Sequence, residues 1–435
     1  VEKTEQSLER REALADSSQY LNISMVTKES LDTLLNSTQF IKCINTEYRR
    51  EFAQSGAKIS YKLQVRKPIP WVVEEGDGFN DRPFIEEWVD LEITKHQHCD
   101  MSFGMVEQTL NIMDYSKRYV RPRVSELGNA MDDGAMALTY WQVANSLGPG
   151  TVALPDTPNT WDTYAYAKAL LDQYATPKSD RYVLVSSWEQ SGIVIDNKAL
   201  FNQQSAIADQ YESGDMWKTL GARWHMDQNM PIHTTGPRGG TPVVDGNGQT
   251  GGQLRVRGFT AAVGLRLRRG DTFQLAVPTT GPGVYGVNPR NKRTVGRYQD
   301  FTCMADVYSD VAGVAVIPIS PPIILGPDPR QTVDVVPVDG WALALRGAAN
   351  TQYAQNLFFQ RDAFTLASVD FEPPQGEVKW SRAVDPEAGI TVQGAVQFDI
   401  RAYKNLSRLD DLWGATALRP ECCVRVWSKA NIVIP

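Results

Sequence analysis

Two short alternating stretches do most to restrict what this chain can fold into. In KISYKLQVRKP, Ile59, Tyr61, Leu63 and Val65 alternate with Ser60, Lys62, Gln64 and Arg66. That is the period of a half-buried β-strand. Pro68 and Pro70 follow directly and cannot sit in a central strand. A second alternating run, Val89, Leu91 and Ile93, comes about twenty residues later. The pair reads as a long hairpin with a turn-rich tip, GDGFNDRP. Lys58, Lys62, Arg66 and Lys67 on the first strand face Glu86, Glu87, Asp90 and Glu92 on the return. Opposite charges across a hairpin favour its register by roughly a few tenths of a kcal/mol per pair. An isolated two-stranded hairpin is marginal in water, so its apolar face needs something to bury it.

The rest of the chain is built to fold. Its 435 residues are 42% hydrophobic and 22% charged, which suits a globular protein of two or three domains. The net charge of −7 sets nucleic-acid grip at a disadvantage, because such proteins show a basic excess. No apolar run reaches the roughly eighteen residues of a membrane span, and no basic-then-apolar leader opens the chain. The start at Val1 reads as trimming or omission of earlier residues. Cys43, Cys99, Cys303, Cys422 and Cys423 are odd in number and scattered, which points to reduced thiols in a chain made in cytoplasm. The sequons at Asn22, Asn36 and Asn405 read as chance matches without a secretory signal.

Along the chain, residues 1–56 are arm-like, with helices expected near the start and over Thr27–Leu35. From Met105 to Leu147 the apolar period becomes helical, and a helix of roughly 25 residues is expected after Pro122, ended by Gly148-Pro149-Gly150. Residues 161–225 read as α/β, with WDTYAYAKALLDQYA a helix and RYVLVSS a buried strand. The glycine-rich 236–252 reads as a flexible linker. From about 253 to 345 short strands follow one another, the texture of a small barrel or sandwich. From about 352 the pattern returns to mixed α/β. An all-β block between two α/β segments reads as a domain inserted into a host.

Catalytic constellations are missing from this reading. There is no G-x-S-x-G, H-E-x-x-H, P-loop or G-x-G-x-x-G string. His96 and His98, two apart on a strand, would face one side, but no second ligand cluster completes a zinc site with Cys99 or Asp100. They read as polar strand residues, and His225 and His233 as structural. Asp132-Asp133, Asp410-Asp411 and Glu74-Glu75 are neighbours that do not face each other. Arg255, Arg257, Arg266, Arg268 and Arg269 read as a solvated strand face. No catalytic, cofactor or metal residue is assigned.

Several strings, in order, resemble a known family: GAKISYKLQVRKP, KHQHCDMSF, DYSKRYVRPRVSELGNAMD, LFNQQSAIADQY, GPRGGTPVVDG, NLFFQRDAFTLASVDFEPP and LWGATALRPE. They resemble the major capsid proteins of tailed bacteriophages, the Hong Kong ninety-seven type fold. The closer similarity is to the coat proteins of short-tailed phages that carry an inserted β domain. The resemblance spans about 22–427, and the first twenty or so residues fall outside it.

The resemblance implies an α+β fold: an N-terminal arm (1–56), an extended-loop hairpin (57–95) and a peripheral domain with a spine helix (96–150). An axial domain follows in two parts (151–228 and 352–395) around an inserted all-β domain (229–351), and 396–435 return to the peripheral domain. It implies a non-enzymatic shell subunit that assembles with itself into pentamers and hexamers around double-stranded DNA, contacted weakly and without sequence preference. A scaffolding protein, a portal at one vertex and a cement protein are the further partners it suggests. No cofactor and no membrane are implied. The place is the virion, with assembly in the host cytoplasm. The contacts expected between subunits are Ile59, Tyr61, Leu63, Val65, Arg66, Lys67, Trp71, Glu74, Glu75 and Trp88 of the hairpin, with Leu31 and Phe40 of the arm. The competing reading is a carbohydrate-active enzyme or binding protein with a β accessory domain.

Overall fold

The computed structural model describes residues 27, 34, 38–48, 62–67, 87–104, 121–148, 160–196, 218–276, 283–372, 378–385, 389–401 and 404–429. The fold is mixed α+β, with few helices and many strands. Its chain divides into two compact units: Val1–Leu63, Asp90–Ala135 and Thr365–Thr416 form the first, and Gln64–Val89, Met136–Phe364 and Ala417–Pro435 the second.

The first unit is built on long antiparallel strands. Lys404–Ala417 lies between Ile390–Asp399 on one side and Lys95–Gly104 and Phe364–Ser368 on the other, and Lys379–Asp385 takes the edge beside Ile390–Asp399. The pairing fixes which residues share a face. Leu409, Asp411 and Trp413 point one way, and Leu406, Arg408 and Asp410 the other. Trp413 is fully buried. A Cβ on Gly134 of the helix Arg121–Thr139 would lie 2.9 Å from its ring, so only glycine lets helix and sheet approach this closely. At Gly414 a Cβ would fall 1.9 Å from the Glu92 carbonyl oxygen.

The second unit holds a seven-stranded sheet and a closed six-stranded barrel. Gln352–Gln360 is central in the sheet, between Cys423–Lys429 and Arg181–Val185. Every residue of RYVLV is buried, as expected of a strand covered on both faces. The helix Trp161–Gln173 contributes Tyr164, Ala167, Leu170 and Leu171 to the core with Val183, Phe358 and Val426. The barrel runs Gly251–Arg257, Ala315–Ile323, Asp300–Cys303, Thr272–Ala276, Ala342–Leu345, Val243–Val244 and back to the first. Closure leaves no strand edge to pair with another chain. Inward-facing Leu254, Val256, Phe273, Leu275, Phe301 and Ile317 fill it. Of the barrel and sandwich readings of the sequence, the barrel is the one formed.

Three expectations need correction. The helix after Pro122 stops at Thr139, with one 3-10 turn over Tyr140–Gln142, well short of Gly148. Val143 turns to extended backbone, and Ser146–Leu147 add a short parallel strand to Cys423–Lys429. Sheet pairing outcompetes the helical period there. The glycine-rich 236–252 is a working part of the barrel, because Val243–Val244 closes it against Gly251–Arg257 and Ala342–Leu345. Gly240, at φ +76°, has no room for a Cβ beside the Gly258 carbonyl. Beyond residue 352 the described residues form strands and 3-10 turns and no α-helix.

Candidate functional site

Lys62–Lys67 and Glu87–Glu92 form a two-stranded sheet that no third described strand joins. Burial along the return strand alternates as expected: Leu91 is buried and Trp88, on the other side, is 47% exposed. Leu63 is half-buried. Arg66 and Lys67 end the first strand. Ile59, Tyr61, Trp71, Glu74, Glu75 and Leu31 lie outside the described residues.

Two of the expected contact residues are covered by their own chain. Val65 is 2% exposed and Phe40 fully buried. Phe40 opens a four-residue helix whose start is held by a distant carboxylate: Asp132 Oδ2 accepts from the backbone N–H of Gln39 (3.2 Å) and Phe40 (3.3 Å), and Oδ1 from Ile41 (3.1 Å). Asp132 satisfies N–H groups that a helix start leaves orphaned. In sequence it looked like half of an ordinary acidic pair. Among the described residues of the hairpin, Trp88 is exposed and Leu63 and Val89 are half-buried.

A second surface, not singled out from sequence, lies on the outer face of the first unit's sheet. Strand register places Trp380, Ala395, Arg408 and Asp100 in one row, and Arg382, Gln393, Asp410 and His98 in the next. Leu406, Gln397 and Ser102 make a third row on the same face. Trp380, Val384 and Leu406 are exposed. Between them runs a polar ladder. His96 Nε2 is 2.9 Å from Asp410 Oδ1, Arg408 Nε is 2.8 Å from the same oxygen, and His98 Nδ1 is 3.1 Å from Asp100 Oδ2. The face encloses a shallow groove of about 470 Å³ lined by Met101, Val378, Leu406 and Arg408 among others. Mixed apolar and charged rows of this kind suit protein contact. The signal was present in KWSRAVD, where Trp380, Arg382 and Val384 alternate with small or buried residues.

One step across the pleat, Asp411 is fully buried. Its Oδ1 accepts from the Gln97 backbone N–H at 3.2 Å, and burial pushes its carboxyl up to about 7.

In the second unit, buried polar groups gather where barrel strands meet the sheet. His233 Nε2 is 2.8 Å from Asp271 Oδ1, and Asp271 Oδ2 accepts from the backbone N–H of Gly236 and Arg268. Tyr140 Oη lies 3.5 Å from His233 Nδ1. The buried Arg425 donates to the Gly270 carbonyl at 3.0 Å and lies over the Trp427 ring. Burial lowers the Arg425 pKa to about 10. Of the arginines read as a solvated face, Arg255, Arg268 and Arg269 are exposed and Arg257 and Arg266 half-buried, and several also bond locally. Arg255 and Arg257 pair with Asp245, and Arg257 also with Asp339. Arg266 donates to the Thr260 and Ala262 carbonyls.

The same unit has a cavity of about 430 Å³ lined by Asn145, Tyr174, Arg290, Lys292, Arg330 and Arg419, among others. Among the described residues no three His, Cys, Asp or Glu side chains converge as metal ligands, and Cys43, Cys99, Cys303, Cys422 and Cys423 are free thiols.

No protein-family model matches the sequence, and no curated protein matches it. The chain is similar to a solved structure of Mycobacterium phage Che8, with 13% identity and TM-score 0.41, over 89% of this chain and 90% of that one. It is similar to the capsid structure of cyanophage P-SCSP1u, with 10% identity and TM-score 0.42, over 86% and 84% of the two chains. A third likeness is to the capsid of Ralstonia phage GP4, with 9% identity and TM-score 0.42, over 91% and 90%.

Proposed function

We propose that this chain is the major capsid protein of a tailed, short-tailed-type phage, a subunit that assembles with itself into an icosahedral shell around double-stranded DNA. The observation that carries the reading is the hairpin. It is a two-stranded sheet without a third described strand, and it keeps Trp88 47% exposed. Such a sheet is marginal alone, and covering its apolar residues removes surface from water at roughly 25 cal/mol per Å².

The family strings in the sequence agree with this, and the exposed Trp380, Val384 and Leu406 offer a second contact face. In a closed shell many weak contacts act together. Scaffolding, portal and cement partners belong to the same reading. A net charge of −7 fits a container that does not grip its DNA, since every basic contact to phosphate adds a salt-dependent hold. The reading places the protein in the virion after assembly in the host cytoplasm.

The test is electron microscopy with light scattering on the purified chain, with its scaffolding partner supplied. Uniform closed shells tens of nanometres across are expected (~10² Å and more, many subunits wide). A monomer that stays monomeric under those conditions overturns the proposal.

A further inference from the structure

We propose that the cavity of the second unit receives the acidic stretch 74–90 of a second copy of this chain. The inference rests on the shell reading above, because it takes the hairpin's partner to be a neighbouring subunit.

Charge points there first. Residues 74–90 contain seven carboxylates and a single arginine, in a chain whose net charge is −7. Nearly the whole imbalance sits in this one stretch. Residues 290–297 are the reverse: Arg290, Lys292, Arg293 and Arg297, with no carboxylate. Two of these, Arg290 and Lys292, line the cavity, and Arg330 and Arg419 join them from other loops. Arg330 is engaged by Asp328 at 2.8 Å, and the Lys292 amine donates to the Pro329 carbonyl. Arg290 and Arg419 have no carboxylate partner among the described residues. Glu87 of the same chain stands in the wall and fixes the near end of its own acidic stretch there. Within the described lining these two guanidinium groups are the ones to which the proposal assigns the incoming carboxylates.

Shape and polarity agree. The cavity measures about 430 Å³ and six of its lining residues are prolines. These give stiff apolar walls without N–H donors. That volume is within the roughly 300–1,000 Å³ of ligand sites, room for a few side chains and not for a folded domain. The acidic stretch is preceded by Trp71, Val72 and Val73. WVVEE therefore offers apolar groups for the walls and carboxylates for guanidinium groups, which hold carboxylates through paired N–H donors.

The experiment combines charge reversal, a peptide and a cross-link. Arg290→Glu with Arg419→Glu, and separately Glu74→Arg with Glu75→Arg, should each slow shell formation at least ~10-fold, and the two pairs together should recover most of the rate. Circular dichroism and thermal melting confirm that each variant folds. A labelled peptide of residues 70–90 should bind the wild-type chain and lose at least ~10-fold in affinity to the Arg290→Glu, Arg419→Glu chain, more at low salt than at high. This readout needs no shell. Shells that form normally while the peptide binds both chains equally overturn the docking and leave the capsid reading standing. Peptide binding as expected in a chain that never assembles overturns the capsid reading instead. Arg419→Cys with Glu75→Cys should give disulfide-linked dimers and higher ladders on non-reducing gels. A link found only within one chain overturns the second copy as occupant.

Discussion

His233 Nε2 sits 2.8 Å from Asp271 Oδ1, with both side chains buried, and this contact joins the strand Ile232–Thr234 to the turn that opens a barrel strand. Burial lowers the His233 pKa below its ordinary 6.5, outweighing the opposing pull of Asp271, and the nearby Arg425 and Arg268 add to the lowering. The folded pKa is below the unfolded one, so folding releases protons. The resulting stability is fully present above the unfolded value and is lost as pH falls through the folded one. Tyr140 faces Nδ1 as a neutral hydroxyl, its own pKa raised by burial. Urea titration should show the wild type losing stability as pH falls below about 6.5. His233→Gln should lose less over that range while starting lower at pH 7.5. Equal slopes for the two proteins would show that His233 does not titrate in the fold.

Asp411 should behave in the opposite sense. Its carboxyl is pushed up to about 7, first by burial and then by the Asp410 charge, against the lowering hydrogen bond from the Gln97 backbone. A raised folded pKa contributes stability at low pH that is lost as pH rises through the folded value. Asp411→Asn should therefore be more stabilising at pH 8 than at pH 5, by roughly 2–3 kcal/mol. Denaturant midpoints at the two pH values decide it, and a stabilisation that does not change with pH counts against a neutral buried acid.

Asp132 is a structural anchor on this geometry. Asp132→Ala removes the acceptor for the backbone N–H groups of Gln39, Phe40 and Ile41. A loss of ~2–4 kcal/mol is expected, since each orphaned buried donor costs about 1–3 kcal/mol and the segment relaxes in part. Hydrogen exchange should show 39–41 losing protection before the rest of the first unit does. Unchanged protection there would remove the anchor role.

Gly414→Ala tests close packing of the first unit. The added Cβ would sit 1.9 Å from the Glu92 carbonyl oxygen, and backbone cannot move aside as a flexible side chain can. A destabilisation of about 1–3 kcal/mol or more is expected. Gly246→Ala, at a glycine with open space around it but φ +102°, should cost only its backbone strain, about 1–2 kcal/mol. Thermal melting of the two variants checks the order.

Trp88→Asp and Leu63→Asp separate folding from association. Trp88 is exposed in the single chain, so its replacement should leave the melting temperature of the monomer nearly unchanged while shell formation fails. Leu63, half-buried, should show the same assembly defect with a modest loss of stability, ~1 kcal/mol. Normal shells from both variants would remove the hairpin from the assembly argument.

Much of the fold was legible because period is a local property. The strand over Lys62–Lys67, the return strand with Leu91 buried, the buried RYVLV strand and the helix at Trp161 all appear where the pattern placed them. Closely spaced short strands announced the six-stranded barrel. The errors fell where local pattern and sheet pairing disagree. The helical period ran on past Gln142, yet Ser146 and Leu147 found a parallel partner in Arg425 and Val426. Glycines in 236–252 suggested slack, yet Gly236 and Gly240 are glycine because neighbouring backbone leaves no space for a Cβ.

Sequence alone therefore determined many of the strand and helix segments and which of their faces are apolar. Tertiary structure decided the rest. It put Asp132 against residues 39–41, His233 on Asp271, and Trp380, Leu406 and Arg408 on one face of a sheet. It also turned Phe40 and Val65 inward. Each of these joins or buries residues through pairing that spans large separations in the chain. Such contacts depend on strand register and closure, and no short window of residues records either.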